Sequence, residues 1–177
     1  MANLIVYYSR KGQNYWNGSI VDLAKGNTER VAEFVQKAVG GDLFEIETVR
    51  EYSKDYMVCI EEAKAELREG ARPELKKYPE SIDQYDTIFV GYPNWWGTMP
   101  MCVYTFLEHF DLTGKKIVPF CTHEGSGQAH SQRDIEELLT SATVLKGLAI
   151  RGSKAQNDAE GTVADVAHWL KSIGLAE

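Results

Sequence analysis

Thr87 to Pro100 reads TIFVGYPNWWGTMP, an apolar run from Thr87 to Gly91 that empties into a polar loop with two adjacent tryptophans between Pro93 and Pro100. Such a run suits a strand buried on both faces, and open α/β sheets bind ligands in the crevice beyond the carboxyl ends of their strands. A loop there made of Pro93, Asn94, Trp95, Trp96, Gly97 and Thr98 offers a wall of two indoles, and Gly97 lets the backbone approach a planar ring without an intervening Cβ. A lone Trp more often just closes a hydrophobic layer. A pair in a loop punctuated by glycine and proline points to a flat aromatic ligand.

Outward from this stretch, strand and helix patterns alternate to both ends, the mark of a parallel sheet covered by helices on both faces. The first strand runs from Asn3 to Tyr8, and a polar excursion follows from Ser9 to Gly26. A helix begins at Asn27 with Val31, Phe34, Val35, Ala38 and Val39 on one face, and Gly40 and Gly41 stop it. The second strand spans Leu43 to Val49, and Asp55 to Glu69 reads as a charged helix before Pro73 and Pro79 punctuate the way to the third strand. Pro100 opens a helix whose apolar stripe is Val103, Phe106, Leu107 and Phe110. The fourth strand, Lys116 to Cys121, runs into a polar loop; a helix with Ile135, Leu138 and Leu139 leads to a fifth strand over Val144 to Ile150; and a last helix carries Val163, Val166, Ala167 and Leu170. The expectation is five strands and about five helices in one α/β domain covering residues 1–177.

The chain of 177 residues carries 26 acidic and 19 basic side chains, a formal charge of −7, which argues against nucleic acid and anionic membranes as partners. No run of about 20 apolar residues exists, and the N-terminus enters a strand directly, so a cytoplasmic protein is expected. Cys59, Cys102 and Cys121 are odd in number and lack metal-site spacing, and read as small buried hydrophobes.

In a parallel sheet the segments after Tyr8, after Tyr92 and after Cys121 all emerge at one edge. The first brings Ser9, Arg10, Lys11, Asn27 and Thr28 to a helix N-terminus, where free N–H groups and the helix dipole favour a phosphate. Asn27 and Thr28 are equally suited to ordinary capping, and both roles can coincide. The second brings the tryptophans. The third brings Thr122, His123, Glu124, Gly125, Ser126 and Gly127, whose backbone can skirt the rim of a ring.

A phosphate pocket, an aromatic wall and a Gly-rich rim suit a mononucleotide with a tricyclic ring, and here the chain resembles the flavodoxin family over nearly its whole length. The resemblance implies a doubly wound five-stranded parallel sheet in the order 2-1-3-4-5, with FMN at the strand tips. The family's phosphate loop has the form S/T-x-T-G-x-T. In this chain Ser9, Arg10, Lys11 and Gly12 keep its beginning, Gly26, Asn27 and Thr28 look like its end, and roughly fifteen residues intervene. A second registration uses Gly12, Gln13 and Asn14; the later one is preferred because the periodic helix starts after it. Tyr15 and Trp16 in the insertion either fold over the cofactor or pack on the surface, and packing is the preferred reading. Trp95, Trp96, Gly97, Thr98, Met99 and Pro100 match a flavodoxin-like subgroup with W-W-G-T-x-P after the third strand.

The function this implies is a low-potential one-electron carrier that binds FMN and meets redox partner proteins. The alternatives are an FMN-dependent NAD(P)H or quinone reductase and a flavin-free binding module on the same fold. His123 reads as a solvated loop residue and His130 as one near a helix start. Glu61, Glu62, Glu66 and Glu69 read as a solvated helix face, with nothing apolar around them to raise a pKa.

Overall fold

Side chains alternate across a strand, so a strand between two helical layers must be apolar at successive positions. In β1 (Ala2–Tyr7), Leu4 and Val6 enter one core together with Tyr8, and Ile5 and Tyr7 enter the other. The computed structural model describes residues 2–177. After β1 come β2 (Gly12–Trp16), β3 (Ser19–Leu23), α1 (Asn27–Val39), β4 (Asp42–Glu45), α2 (Tyr56–Glu69), β5 (Tyr85–Pro93) and α3 (Met101–His109). They are followed by β6 (Lys116–His123), α4 (Ser131–Leu138), β7 (Thr143–Val144), β8 (Leu148–Arg151), α5 (Gly152–Asn157) and α6 (Ala159–Ser172).

The main sheet is parallel in the order β4-β1-β5-β6-β7, with β8 also paired to β6. With β2 and β3 set aside and β7 and β8 taken as one interrupted strand, this is the expected order 2-1-3-4-5. Cys102, Val103, Phe106 and Leu107 of α3 and Ile135 of α4 fill one face; Val31, Ala32 and Val35 of α1 and Val166, Trp169 and Leu170 of α6 fill the other. Among the described residues no helix is long and apolar enough to cross a membrane.

Four details differ from the sequence expectation, each for a local reason. The fifth strand is broken: Ile117 pairs with Val144 but Phe120 pairs with Leu148, one extra residue on the outer side. Pro119 of β6 has no N–H for the ladder at that point, and Gln132 of α4 substitutes by donating to the Leu145 carbonyl (3.0 Å) and accepting from the Gly147 N–H (2.9 Å). The second strand ends early because the chain turns away, with Glu47 and Val49 hydrogen-bonding to Lys76 and Glu74. Among the described residues six helices replace the expected five or so because Asp158 separates α5 from α6 and caps the latter, its carboxylate accepting from the Gly161 N–H (2.9 Å). Finally, the polar excursion contains the antiparallel hairpin β2–β3, in which Asn17 (φ 48°) and Gly18 (φ 83°) both take the left-handed conformation that matches a two-residue turn to the strand twist.

Candidate functional site

The tips of β1, β5 and β6 are tied together, the Tyr8 N–H donating to the Gly91 carbonyl (3.0 Å) and the Asn94 N–H to the Thr122 carbonyl (2.8 Å). Just past β5 the chain reverses within two residues: Trp95 and Thr98 exchange backbone hydrogen bonds, while Trp96 (φ 57°) and Gly97 (φ 88°) occupy the left-handed region. A bulky residue is rarely held there, and such strain collects at functional sites. Asn94 holds the turn: its Oδ1 accepts from the Gly97 N–H (2.9 Å), and its Nδ2 donates to Ser126 Oγ (3.1 Å) and the Gly127 carbonyl (2.8 Å). Thr98 is buried beneath, donating to Asp134 (2.6 Å), and Gly97 lies against His130, leaving no room for a Cβ. His130 stands at the start of α4.

A cavity of about 410 Å³ opens over this turn. Pro93, Asn94, Trp95 and Trp96 line it from the second loop, Thr122, His123, Glu124, Gly125 and Ser126 from the third, and Arg10 and Asn27 from the first. Trp95 packs edge-on against Tyr8 (5.3 Å between centroids) and Tyr52 (5.1 Å). Trp96 is 44% exposed, donates from Nε1 to the Ile60 carbonyl (2.9 Å) and carries Lys64 over its ring. Gly127 lies outside this wall and contributes the carbonyl that accepts from Asn94.

The first loop is divided between tasks. Ser9 and Lys11 line a neighbouring cavity of about 720 Å³, of which Arg10 is the shared wall. Ser9 Oγ accepts from the Glu29 N–H (3.0 Å) in the first turn of α1. Gly26 precedes that helix with no side-chain cap, and a Cβ there would lie 2.2 Å from Ser9 Oγ. The Thr28 hydroxyl is buried and paired with Thr122 (2.8 Å), so it ties the start of α1 to the tip of β6. Asn27 Oδ1 accepts from Gln156 (2.9 Å), and the side chains of Asn27 and Glu124 meet over Gly152.

Arg10 holds the hairpin in place. Its guanidinium donates to the carbonyls of Gln13 (2.8 Å), Ser53 (2.9 Å) and Lys54 (3.1 Å), so these donors are spent on backbone oxygens. Gln13 Oε1 accepts from the Tyr56 N–H (2.8 Å) at the start of α2, and Asn14 and Tyr15 line the cavity. Tyr15 stacks on Tyr56 at 6.3 Å. The hairpin is therefore part of the cavity wall. Arg10→Ala is expected to destabilise it locally by about 1.5–3 kcal/mol, the range for hydrogen bonds to a charged group. Hydrogen exchange should show faster opening confined to residues 12–23 while the main sheet keeps its protection.

One contribution to the wall escaped the sequence reading, and a second, Tyr15 of the hairpin, lines the cavity where packing on the surface was the preferred reading. Tyr56, Cys59, Ile60 and Ala63 line the cavity at helical spacing along α2, a stripe hidden by the charges around it. The hairpin's signal was the Asn17-Gly18 pair between alternating residues. Glu66 also departs from the expected solvated face. It is half-buried and accepts from the Tyr52 hydroxyl (2.5 Å), and desolvation raises its carboxyl above the usual range.

Electrostatically the cavity is a place where charge is costly. Burial and the nearby Arg151 lower the pKa of His123 below its usual 6.5, so the ring is neutral at pH 7. Burial pushes the Cys59 thiol up to about 11, keeping it protonated and unreactive. Glu124 Oε1 is buried without a hydrogen-bond partner among the described residues, while its other oxygen is 3.5 Å from the Asn17 N–H.

Comparison with known proteins places this geometry. A family model described as Flavodoxin matches residues 20–171. Flavodoxin 1 of Shigella flexneri is 27% identical over 158 residues, covering 86% of this chain and 70% of that protein. The crystal structure of a candidate flavoprotein from Bacteroides eggerthii is 29% identical and superposes with a TM-score of 0.78, covering 98% of each chain. A flavoprotein from Lactobacillus acidophilus, solved in complex with FMN, shares the fold at 21% identity and a TM-score of 0.65, over 90% of this chain and 99% of that one.

Proposed function

Because the chain belongs to the flavodoxin family, we propose that it binds FMN in the strand-tip cavity and works as a low-potential one-electron carrier. The observation that carries the reading is the convergence of three separate loops on one cavity of about 410 Å³ with two indoles in its wall. The residues present fit the ligand. Trp95 and Trp96 suit the ring. The start of α1, whose N-cap Gly26 brings no side chain and of whose first-turn N–H groups Ser9 Oγ takes that of Glu29, suits a phosphate, and the unpartnered Glu124 oxygen suits a donor such as a ribityl hydroxyl.

Bound FMN supplies the redox chemistry, and the protein supplies position and electrostatics. Trp96 and Trp95 offer stacking surface and displace water, with Asn94 fixing the turn that presents them. The N–H groups and dipole of α1 offset phosphate charge. Glu124 and the net charge of −7 oppose an added electron, and neutral His123 offers no positive charge to compensate. Each tenfold bias against the reduced state lowers a one-electron potential by about 59 mV. Glu124→Gln removes one of these charges and is expected to raise the midpoint potential by an amount on the order of tens of millivolts, read by dye-equilibrated reduction.

The walling of the cavity by Asn14, Tyr15 and Tyr56 supports a carrier, since it takes space that a stacked nicotinamide or quinone would need. A visible spectrum of the protein mixed with FMN, followed by reduction assays, tests the reading. Shifted flavin bands and reduction only through a partner reductase are expected. A protein that ignores FMN would overturn the cofactor assignment, and rapid direct NAD(P)H oxidation with a quinone would overturn the carrier assignment in favour of a reductase.

A further inference from the structure

The cavity of about 410 Å³ ends where the larger one of about 720 Å³ begins, and among the described residues Arg10 alone lines both. The border between them can be followed along the chain. Gln13 lines the larger cavity and Asn14 the smaller; Lys54 lines the larger and Tyr56 the smaller. Behind them Trp95 of the smaller cavity packs edge-on against Tyr8 and Tyr52 of the larger. Along this border the hairpin is stitched to the segment that enters α2. The Arg10 guanidinium donates to the Gln13 carbonyl on the hairpin side (2.8 Å) and to the Ser53 (2.9 Å) and Lys54 (3.1 Å) carbonyls on the other, and Gln13 Oε1 accepts from the Tyr56 N–H (2.8 Å). The seam depends on these bonds and on the stack of Tyr15 on Tyr56, since no residue of β2 or β3 is buried or belongs to either core.

We infer that this seam restricts the site to a mononucleotide, and that Arg10 is the residue that decides between FMN and FAD. The inference rests on the reading that FMN occupies the smaller cavity with its phosphate at the start of α1. That place lies against Arg10, because a Cβ on Gly26 would come 2.6 Å from the Arg10 carbonyl oxygen. FMN ends at its phosphate, on the near side of the border. FAD continues with a second phosphate and an adenosine, and the adjoining space is the larger cavity. Its volume is within the range of about 300–1,000 Å³ typical of ligand sites. Lys11, Lys54 and Lys76 are among its cations, and carboxylates balance the cations in its wall, so no excess of negative charge bars a diphosphate. The bar is the seam itself. A dinucleotide must part the hairpin from residues 53–56 to cross, which breaks the bonds of Arg10 to three carbonyls, whereas FMN leaves them intact. Specificity is a difference of affinities, and here the penalty falls on one ligand only. Arginine suits the task because its planar fork serves several acceptors at once, which a compact ammonium does less well.

The test is calorimetric titration of the full chain, stripped of flavin, with riboflavin, FMN and FAD. Wild type should prefer FMN to FAD by roughly 10- to 150-fold, the penalty for breaking hydrogen bonds to a charged group. Arg10→Ala should shrink that preference by a similar factor. Arg10→Lys keeps the positive charge without the fork and should also shrink it, which separates the barrier from simple attraction of a phosphate. Gln13→Ala removes the second stitch and should move the ratio in the same direction by less. Thermal melting shows that each variant is folded. Wild type binding FMN and FAD equally would overturn the inference. So would folded Arg10 variants in which riboflavin, FMN and FAD all weaken together with the ratio unmoved, the mark of a merely loosened wall. If no flavin binds any variant the cofactor reading falls, and the crystal structure of ligand-free Arg10→Ala still decides the barrier: one continuous cleft supports it, and two cavities divided as in wild type overturn it.

Discussion

Trp96→Gly is expected to weaken FMN binding by about 1–3 kcal/mol, roughly fivefold to 150-fold, by analogy with bases stacked on aromatic side chains. Glycine is the informative replacement because Trp96 sits at φ 57° beside Gly97 at φ 88°. Alanine would remove the indole but keep the left-handed penalty of about 1–2 kcal/mol, whereas glycine removes both. The turn should survive, since Asn94 holds it through the Gly97 N–H and the carbonyl of Gly127. Some of the gain offsets the lost hydrogen bond to Ile60 and the Lys64 contact. The expected pattern is looser binding in a fluorescence titration with thermal stability held or raised. Trp95→Ala should behave differently. Its indole also packs on Tyr8 and Tyr52, so part of the loss should appear as lower stability of the ligand-free protein. If Trp96→Gly binds FMN as wild type does, the exposed indole is not part of the binding wall.

Asn27→Asp is expected to separate the phosphate from the ring. The two side chains have nearly the same shape, and Asp keeps the oxygen that accepts from Gln156. The new negative charge stands in the first turn of α1, where it favours the helix by about 0.3–1 kcal/mol through the dipole. The same charge repels a phosphate there, and FMN affinity should fall by about 1–3 kcal/mol for charges at short range in a partly wet site. Riboflavin, which has no phosphate, should lose markedly less, and only through repulsion between the new carboxylate and Glu124 across Gly152. Parallel titrations of the two ligands check this. Equal losses for both would show that the phosphate lies elsewhere, the 720 Å³ cavity with Lys11 being the other place to look.

Much of the fold was legible because burial leaves a periodic trace. Leu4 to Tyr8 and Ile88 to Val90 are apolar at successive positions because helices cover both faces of their strands. The loop after β5 was legible because glycine, proline and paired tryptophans violate the economy of an ordinary turn. The break between β7 and β8 was not, because Pro119 removes a ladder donor whose absence matters only to the neighbouring strand, some 25 residues later in sequence. Nor was the stripe of Tyr56, Cys59, Ile60 and Ala63, whose periodicity was diluted by interleaved Glu61, Glu62 and Lys64.

The chain's order of residues alone determined the main strands and helices, though not the β2–β3 hairpin, the β7–β8 break or the division of α5 from α6, and that they wind into a parallel sheet with three loops at one edge of it. All of that follows from local periodicity and chain direction. Only the tertiary structure decided how polar groups in those loops are spent: Arg10 on the carbonyls of Gln13, Ser53 and Lys54, Thr28 on Thr122, and Glu66 on Tyr52. A hydrogen bond depends on positions to within a few tenths of an ångström, and partners brought together from 94 positions apart, as Thr28 and Thr122 are, leave no periodic mark on either segment.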